Sequence, residues 1–308
     1  MEVARHWIAQ GYPVRTVLRI CQVPRSTYYY QLQHPERRIP AGKGRPIPGY
    51  SCDRSGKRVA DARIKTWLRR LVLGPDSAFG YRKLTILLRR KYQLVINKKK
   101  VYRLCKELQL LAPQRERTNT VPRKVANNRV VTGPNQLWQM DIKYGYVVGQ
   151  RRHFYVASII DVFDRNIVAH HRGHTCRTPE LLQTVEKALK RRGVQAQDST
   201  LVLRTDNGPQ FVSKAFHEYC ERACVEHERI PPRTPNKNAF IESFHSILER
   251  ECYQQHCFES KEEAFAEVDR FIRYYNNHRI HGSLNDWSPR EYLAKVLEGT
   301  LIPKKIAL

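Results

Sequence analysis

Three carboxylates stand where phosphodiester chemistry would want them. Asp141 lies inside the run Leu137-Trp138-Gln139-Met140-Asp141-Ile142, a poor place for a charge unless something binds it. Asp206 closes the apolar run Leu201-Val202-Leu203-Arg204-Thr205 and is followed by Asn207-Gly208-Pro209. That turn presents its carboxylate at the C-terminal edge of a strand, where open α/β sheets keep their sites. Glu242 falls one or two turns into a helix after Pro231-Pro232-Arg233-Thr234-Pro235-Asn236, flanked by Phe240, Ile241 and Phe244. Singly, each has a plain account: a strand-edge aspartate, an Asp-Asn-Gly turn, a solvated helix glutamate. Converging on one spot, they would repel unless divalent cations neutralised them, and an all-oxygen donor set selects Mg²⁺, with Mn²⁺ as substitute. Two such ions can activate an attacking oxygen and stabilise the leaving oxygen of a phosphodiester. Asp161 and Asp164, in Asp161-Val162-Phe163-Asp164-Arg165-Asn166, read instead as strand end and turn and stay outside the set.

The elements that must position these groups are legible from periodicity. Residues 137–147, 153–162 and 166–171 alternate as strands. A helix at 179–192, a strand at 200–204, a helix at 213–222, a strand at 225–229 and long helices at 239–254 and 261–277 follow. Three strands and then alternating helix and strand describe a mixed sheet flanked by helices.

Charge divides the chain in two. Of the formal +26, residues 1–133 hold 30 Lys and Arg against 7 Asp and Glu, and residues 134–308 hold 25 against 22. A basic half of this kind argues for a polyanionic partner, most simply nucleic acid. Residues 2–33 read as short helices broken by Gly11-Tyr12-Pro13 and Val23-Pro24, either a small helix-turn-helix or a plain helical hairpin. Six Pro and Gly residues within 40–49 mark a linker. Residues 60–112 predict three amphipathic helices, the third capped by Asn97. Their polar face carries Arg82, Lys83, Lys98, Lys99, Lys100 and Arg103. A run of lysines at a helix N-terminus opposes the helix dipole and hints at a phosphate ligand, although a solvated basic face is the plainer account.

Taken in order, Trp138-x-x-Asp141, Thr205-Asp206-Asn207-Gly208-Pro209-Gln210-Phe211 and Pro235-Asn236-Lys237-Asn238-Ala239-Phe240-Ile241-Glu242-Ser243-Phe244 resemble the core of DDE transposases and retroviral integrases, with 35 residues between Asp206 and Glu242. Phe79-Gly80-Tyr81-Arg82-Lys83 and the tail Tyr274-Tyr275-Asn276-Asn277-His278-Arg279-Ile280-His281-Gly282-Ser283-Leu284, with Trp287-Ser288-Pro289 and Tyr292, are similar to second-reading-frame transposases of the insertion-sequence-three family. The resemblance implies an α/β, ribonuclease-H-like integrase catalytic core preceded by helix-turn-helix-type DNA-binding domains. It also implies Asp141, Asp206 and Glu242 as ligands of two metal ions, double-stranded DNA as partner and a homo-oligomer acting on it without a nucleotide cofactor. Asn207 and Asn236 match motif positions that touch DNA or shape the site loops, with turn and cap chemistry as the other account. Seven residues past Glu242, where many members carry a basic residue, this chain has Glu249, with Arg250 next; His245 and Arg250 are further candidates on that helix, a solvated surface being the plainer account.

The expected organisation is a helix-turn-helix-like segment at 1–38, a linker at 39–59, a basic three-helix DNA-binding domain at 60–112 and a basic linker at 113–133. A catalytic core at 134–256 and a helical extension at 257–308 complete it. Eight scattered cysteines without a CxxC pair argue for reduced thiols, and a zinc site at His217, Cys220 and Cys224 lacks a second ligand pair. The start carries no apolar leader core and no window reaches the ~18 apolar residues of a membrane span, so the expected location is the cytosol, with no membrane partner, and the resemblance implies a bacterial cytosol at the nucleoid. Two other functions fit the same residues: a DNA-binding regulator with an inactive core, and a ribonuclease-H-type nuclease that cuts without joining.

Overall fold

Leu137–Val147 alternates apolar with polar residues, Arg152–Asp161 is almost continuously apolar, and the two runs pair as a long antiparallel hairpin in the computed structural model, which describes residues 1–33, 48–111, 129–194, 200–230 and 238–307. These strands are β5 and β6 of the ten among the described residues. β7 (Ile167–Gly173) adds antiparallel to β6, while β8 (Val202–Thr205) and β9 (Glu226–Arg229) add parallel on the other side, giving the order β7-β6-β5-β8-β9. The parallel additions need crossovers, supplied by α7 (Thr178–Arg192) and α8 (Lys214–Arg222). This is the mixed, ribonuclease-H-like sheet that the sequence implies.

Both faces of the sheet are covered. Trp138, Met140, Ala157 and Ile159 pack on Leu181, Val185, Phe216 and Cys220 of α7 and α8. On the other face Phe154, Val156, Ile160 and Ile167 pack on Ile241, Phe244 and Leu248 of α9 (Ala239–Glu251) and on Val268, Phe271, Ile272 and Tyr275 of α10 (Lys261–Asn277). Gly145 is obligatory in β5, because a Cβ there would fall 2.2 Å from Cζ of Phe154. The core therefore runs past residue 256: α10, expected in a separate extension, closes the sheet. Its Asn276 accepts from Ile167 N–H at 2.8 Å and donates to Ile167 C=O at 3.0 Å, satisfying a strand's backbone.

Residues 50–111 hold α4 (Asp61–Leu73), α5 (Tyr81–Lys91) and α6 (Lys98–Glu107), the three helices that periodicity predicts. They carry a small sheet as well, in the order β2-β1-β3, from β1 (Tyr50–Asp53), β2 (Arg58–Ala60) and β3 (Leu94–Val95). The second half of the expected 39–59 linker is thus a hairpin. Its turn is set by Asp53 Oδ1, which accepts from Ser55 N–H at 2.9 Å and Lys57 N–H at 3.0 Å, with Gly56 at φ +84°.

The tail is a brace between this module and the core. Ile280 is buried in the apolar cluster of α4, α5 and α6, the Tyr274 hydroxyl donates to Asp76 at 3.1 Å, and the Arg90 guanidinium lies 3.9 Å over the Trp287 ring. Behind them Arg279 grips Glu251 through two bonds of 2.7 Å, both side chains nearly fully buried. Then come α11 (Pro289–Leu297) and β10 (Ile306–Ala307), which pairs antiparallel with β4 (Val130–Val131), so residues 130 and 131 of the expected 113–133 linker belong to a strand pair and residues 113–128 lie outside the described set. Met1–Gly49 forms its own unit, in which α1 (Glu2–Ala9), α2 (Val14–Ile20) and α3 (Arg25–Gln33) bury Ala4, Val17, Leu18 and Tyr28. Among the described residues no helix is long and apolar enough to cross a membrane.

Candidate active site

Strand β5 organises the site. Its parallel register with β8 pairs Leu137 with Val202, Trp138 with Leu203 and Gln139 with Arg204, and the same stagger sets Asp206, one residue past β8, beside Asp141. The Asp206 side chain is fixed by Gly208 N–H, which donates to Oδ1 at 2.9 Å. Burial raises the Asp206 carboxyl above its ordinary value, the Gly208 N–H pulls it back, and the charge of Asp141 raises it further. The two aspartates therefore feel each other as unneutralised negative charges.

One face of β5 docks the helix that carries Glu242. Gln139, fully buried, accepts through one side-chain oxygen from Phe240 N–H at 3.0 Å and Ile241 N–H at 3.1 Å, two donors that the start of a helix leaves unpaired. Next along the strand, Asp141 Oδ2 stands 3.4 Å from His245 Nδ1, and then Lys143 Nζ meets Glu249 at 2.9 Å. Positions 139, 141 and 143 thus meet 240/241, 245 and 249. The match is geometric: two strand residues advance roughly 6.6 Å and four helix residues roughly 6 Å. The Arg165 guanidinium, 3.5 Å over the Phe240 ring, holds the same helix start from the other side. Glu242 lies in the first turn of α9, half-buried, one turn before His245.

The structure brings Asp141 and Asp206 together and sets Glu242 on the adjoining helix. Among the described residues no three His, Cys, Asp or Glu side chains already stand as a closed metal cluster, at the triad or at His217, Cys220 and Cys224. The donor set nevertheless fits a hard divalent cation: carboxylate oxygens only, with the Asp141–Asp206 repulsion that such a charge would relieve.

The basic residues chosen from sequence separate into two groups. Arg82, Lys98 and Lys99 are exposed, the last two at the N-terminus of α6, where Asn97 Oδ1 accepts from Lys99 N–H at 2.9 Å. Lys100 and Arg103 turn onto Asp61 at 2.6 and 2.8 Å, and Arg103 also pairs with Glu107 at 2.7 Å. Lys83 points inward, its ammonium 4.4 Å from the Phe79 ring, and burial pushes it down to about 8. Arg250 pairs with Glu251 at 2.7 Å. Each of these four has a partner within the protein, Arg103 and Arg250 while still partly exposed. Asn207 donates to Ile230 C=O at 2.7 Å, a loop tie between the ends of β8 and β9, and Asn236 lies outside the described residues. His245 is buried rather than solvated. Gln139 and Lys143 escape a search for charged clusters, but their place two residues either side of Asp141, on the same strand face, is the signal that finds them.

Two integrase core domain models match residues 131–235 and 223–289, more than half of the 308 residues together, and an HTH-like domain model matches residues 59–118. The chain is 32% identical over 216 residues to the insertion element IS476 uncharacterized 39.2 kDa protein of Xanthomonas euvesicatoria, a match covering 70% of this chain and 60% of that one. It is 25% identical over 301 residues to the transposase InsD for insertion element IS2D of Escherichia coli, covering 95% of both. Among solved structures, the HTLV-2 integrase catalytic core domain in complex with magnesium aligns at a TM-score of 0.42 with 17% identity, over 52% of this chain and 97% of that one.

Proposed function

Because the chain belongs to the integrase-core family that includes insertion-sequence transposases, we propose that it is a DDE-type transposase, a polynucleotidyl transferase that cuts and joins DNA at the ends of a mobile element. The observation that carries this reading is Asp141 beside Asp206 on adjoining parallel strands, with the helix of Glu242 moored to the same β5 by Gln139. In this reading Asp141, Asp206 and Glu242 hold two Mg²⁺ ions, or Mn²⁺ in their place. Such ions, when bound, sharpen an attacking oxygen and stabilise a leaving one.

The chain itself contributes position. Gln139 and Asp141 share one face of β5, so the glutamate helix and the first aspartate move as one piece. Gly208 N–H and the Asn207 tie hold the second aspartate at the strand end. Water would release a 3′-hydroxyl at the element's end, and that hydroxyl would attack a second phosphodiester. One phosphodiester forms as another breaks, so the joining step needs no nucleotide cofactor and no covalent link to protein. Arg82, Lys98 and Lys99 present exposed charge to double-stranded DNA, at element ends and target alike. Two ends in one reaction call for a homo-oligomer, and DNA as substrate places the work in the bacterial cytosol at the nucleoid.

A joining assay on the DNA flanking the gene tests this, in Mg²⁺ and in chelator, for wild type, Asp206→Asn and Glu242→Gln. The expected result is metal-dependent cleavage and joining that both substitutions abolish while DNA binding survives. Binding by a folded wild-type protein without any strand chemistry would favour the regulator reading instead, and cleavage without joining the nuclease.

A further inference from the structure

His245 is an odd residue for its place. It is 7% exposed on the core-facing side of α9, next to Phe244, where an aliphatic side chain would pack without polar atoms. Its Nε2 is buried with no hydrogen-bond partner among the described residues. An unsatisfied buried polar atom costs about 1–3 kcal/mol, so packing alone does not account for an imidazole here. Its other nitrogen, Nδ1, stands 3.4 Å from Oδ2 of Asp141. The second oxygen of that carboxylate, Oδ1, already accepts from Ile142 N–H at 2.7 Å.

We propose that His245 is a positioning residue for Asp141: its Nδ1, already 3.4 Å from Oδ2, closes onto that oxygen as a donor while the backbone of Ile142 holds Oδ1, so protein partners order the first carboxylate of the site for an incoming ion. This rests on the metal-binding reading above. The physical cause is the spacing of β5 against α9, which puts residue 245 opposite 141 as surely as it puts 249 opposite 143. Fixing a ligand in advance removes the cost of ordering it on binding, and outer partners of metal ligands typically change affinity by about 10–100-fold when removed. An imidazole also supplies what a lysine at this position would not: one directed nitrogen on a rigid ring.

The test is equilibrium Mn²⁺ binding to the full chain without DNA, read from the electron paramagnetic resonance of free Mn²⁺, with circular dichroism melts on every variant. His245→Ala is expected to weaken Mn²⁺ binding about 10–100-fold. His245→Asn, whose amide nitrogen falls where Nδ1 was, should bind within a few-fold of wild type, whereas His245→Gln, whose amide reaches the Nε2 position, should resemble Ala. Asp141→Asn serves as the reference for loss of the site. Wild-type affinity in His245→Ala alongside loss in Asp141→Asn overturns the inference and leaves the metal site standing. Wild-type affinity in Asp141→Asn and Glu242→Gln sinks the metal-site reading itself. Should His245→Ala fail to fold, the Asn and Gln pair carries the test, and equal affinities in those two overturn the inference.

Discussion

Gln139 has no charge and no place in a catalytic motif, yet its side-chain oxygen decides where the glutamate helix starts. Replacing it by Leu leaves the N–H groups of Phe240 and Ile241 without an acceptor at a buried helix start, a loss of about 2 kcal/mol. The expected outcome is a Tm lowered by several degrees, cleavage reduced far more than DNA binding, and an intact fold by circular dichroism. Equal losses in binding and cleavage would mean that Gln139 supports the fold alone. Asp161 makes a different prediction. It is fully buried, accepts from Asn135 N–H and Phe163 N–H at 2.9 Å each, and lies 3.9 Å from Arg192; burial first and the neighbouring Asp164 second push it up from 3.8 to about 7. An acid raised in the folded state binds its proton there more readily than in the unfolded chain. Its stabilisation is therefore complete below about pH 4 and fades as pH climbs toward 7. Asp161→Asn should flatten the Tm profile over that window, and a profile parallel to wild type would contradict the assignment. The sequence reads Asp161 as a strand end, where β6 does stop, but does not show that an arginine 31 positions downstream stands beside it.

At the scale of elements, α6 shows how a run of like charges is divided by geometry. Lys98 and Lys99 face solvent, while Lys100, one step further round the helix, is drawn onto Asp61 at 2.6 Å. Charge removal at Lys98 and Lys99 together should reduce the slope of log affinity against log salt by about 1.8, about 0.9 for each lost phosphate contact on duplex DNA. Lys100→Gln should instead lower Tm, because it strips a partner from a half-buried carboxylate, and leave that slope within error. An unchanged slope in the double variant would remove this face from the DNA contacts. The long elements are readable in advance because their apolar residues repeat over ten positions or more, as in Leu137–Val147 and Lys261–Asn277. β1, β2 and α11 are not. Two strands of four and three residues leave no periodicity, and α11 is announced only by Ser288-Pro289, whose Ser288 side chain accepts from Glu291 N–H and so caps the helix.

For the whole molecule, the tail motif Tyr274–Trp287 is the joint that fixes the DNA-binding module to the catalytic sheet. Its sequence marks it as unusual, but only the fold shows that Ile280 enters one core while Tyr275 enters the other. Between those cores sits a buried charge pair, Arg279 and Glu251, with Arg250 on the second side of the same carboxylate. Burial and the adjacent Arg279 and Lys83 charges push His281 down to about 2, so the imidazole beside the pair stays neutral and adds no third cation. The two single substitutions are not equivalent. Arg279→Met leaves Glu251 with Arg250 still bound, whereas Glu251→Gln strands Arg279, whose only carboxylate partner among the described residues is gone. A stranded buried charge costs about 3–5 kcal/mol, and removing both members of such a pair is often close to neutral. Denaturant melts should therefore rank Glu251→Gln below Arg279→Met, with the double substitution recovering most of the larger loss. If the losses simply add, the pair is not coupled, and the rigidity of this joint must come from the apolar contacts of Ile280 and Trp287 instead.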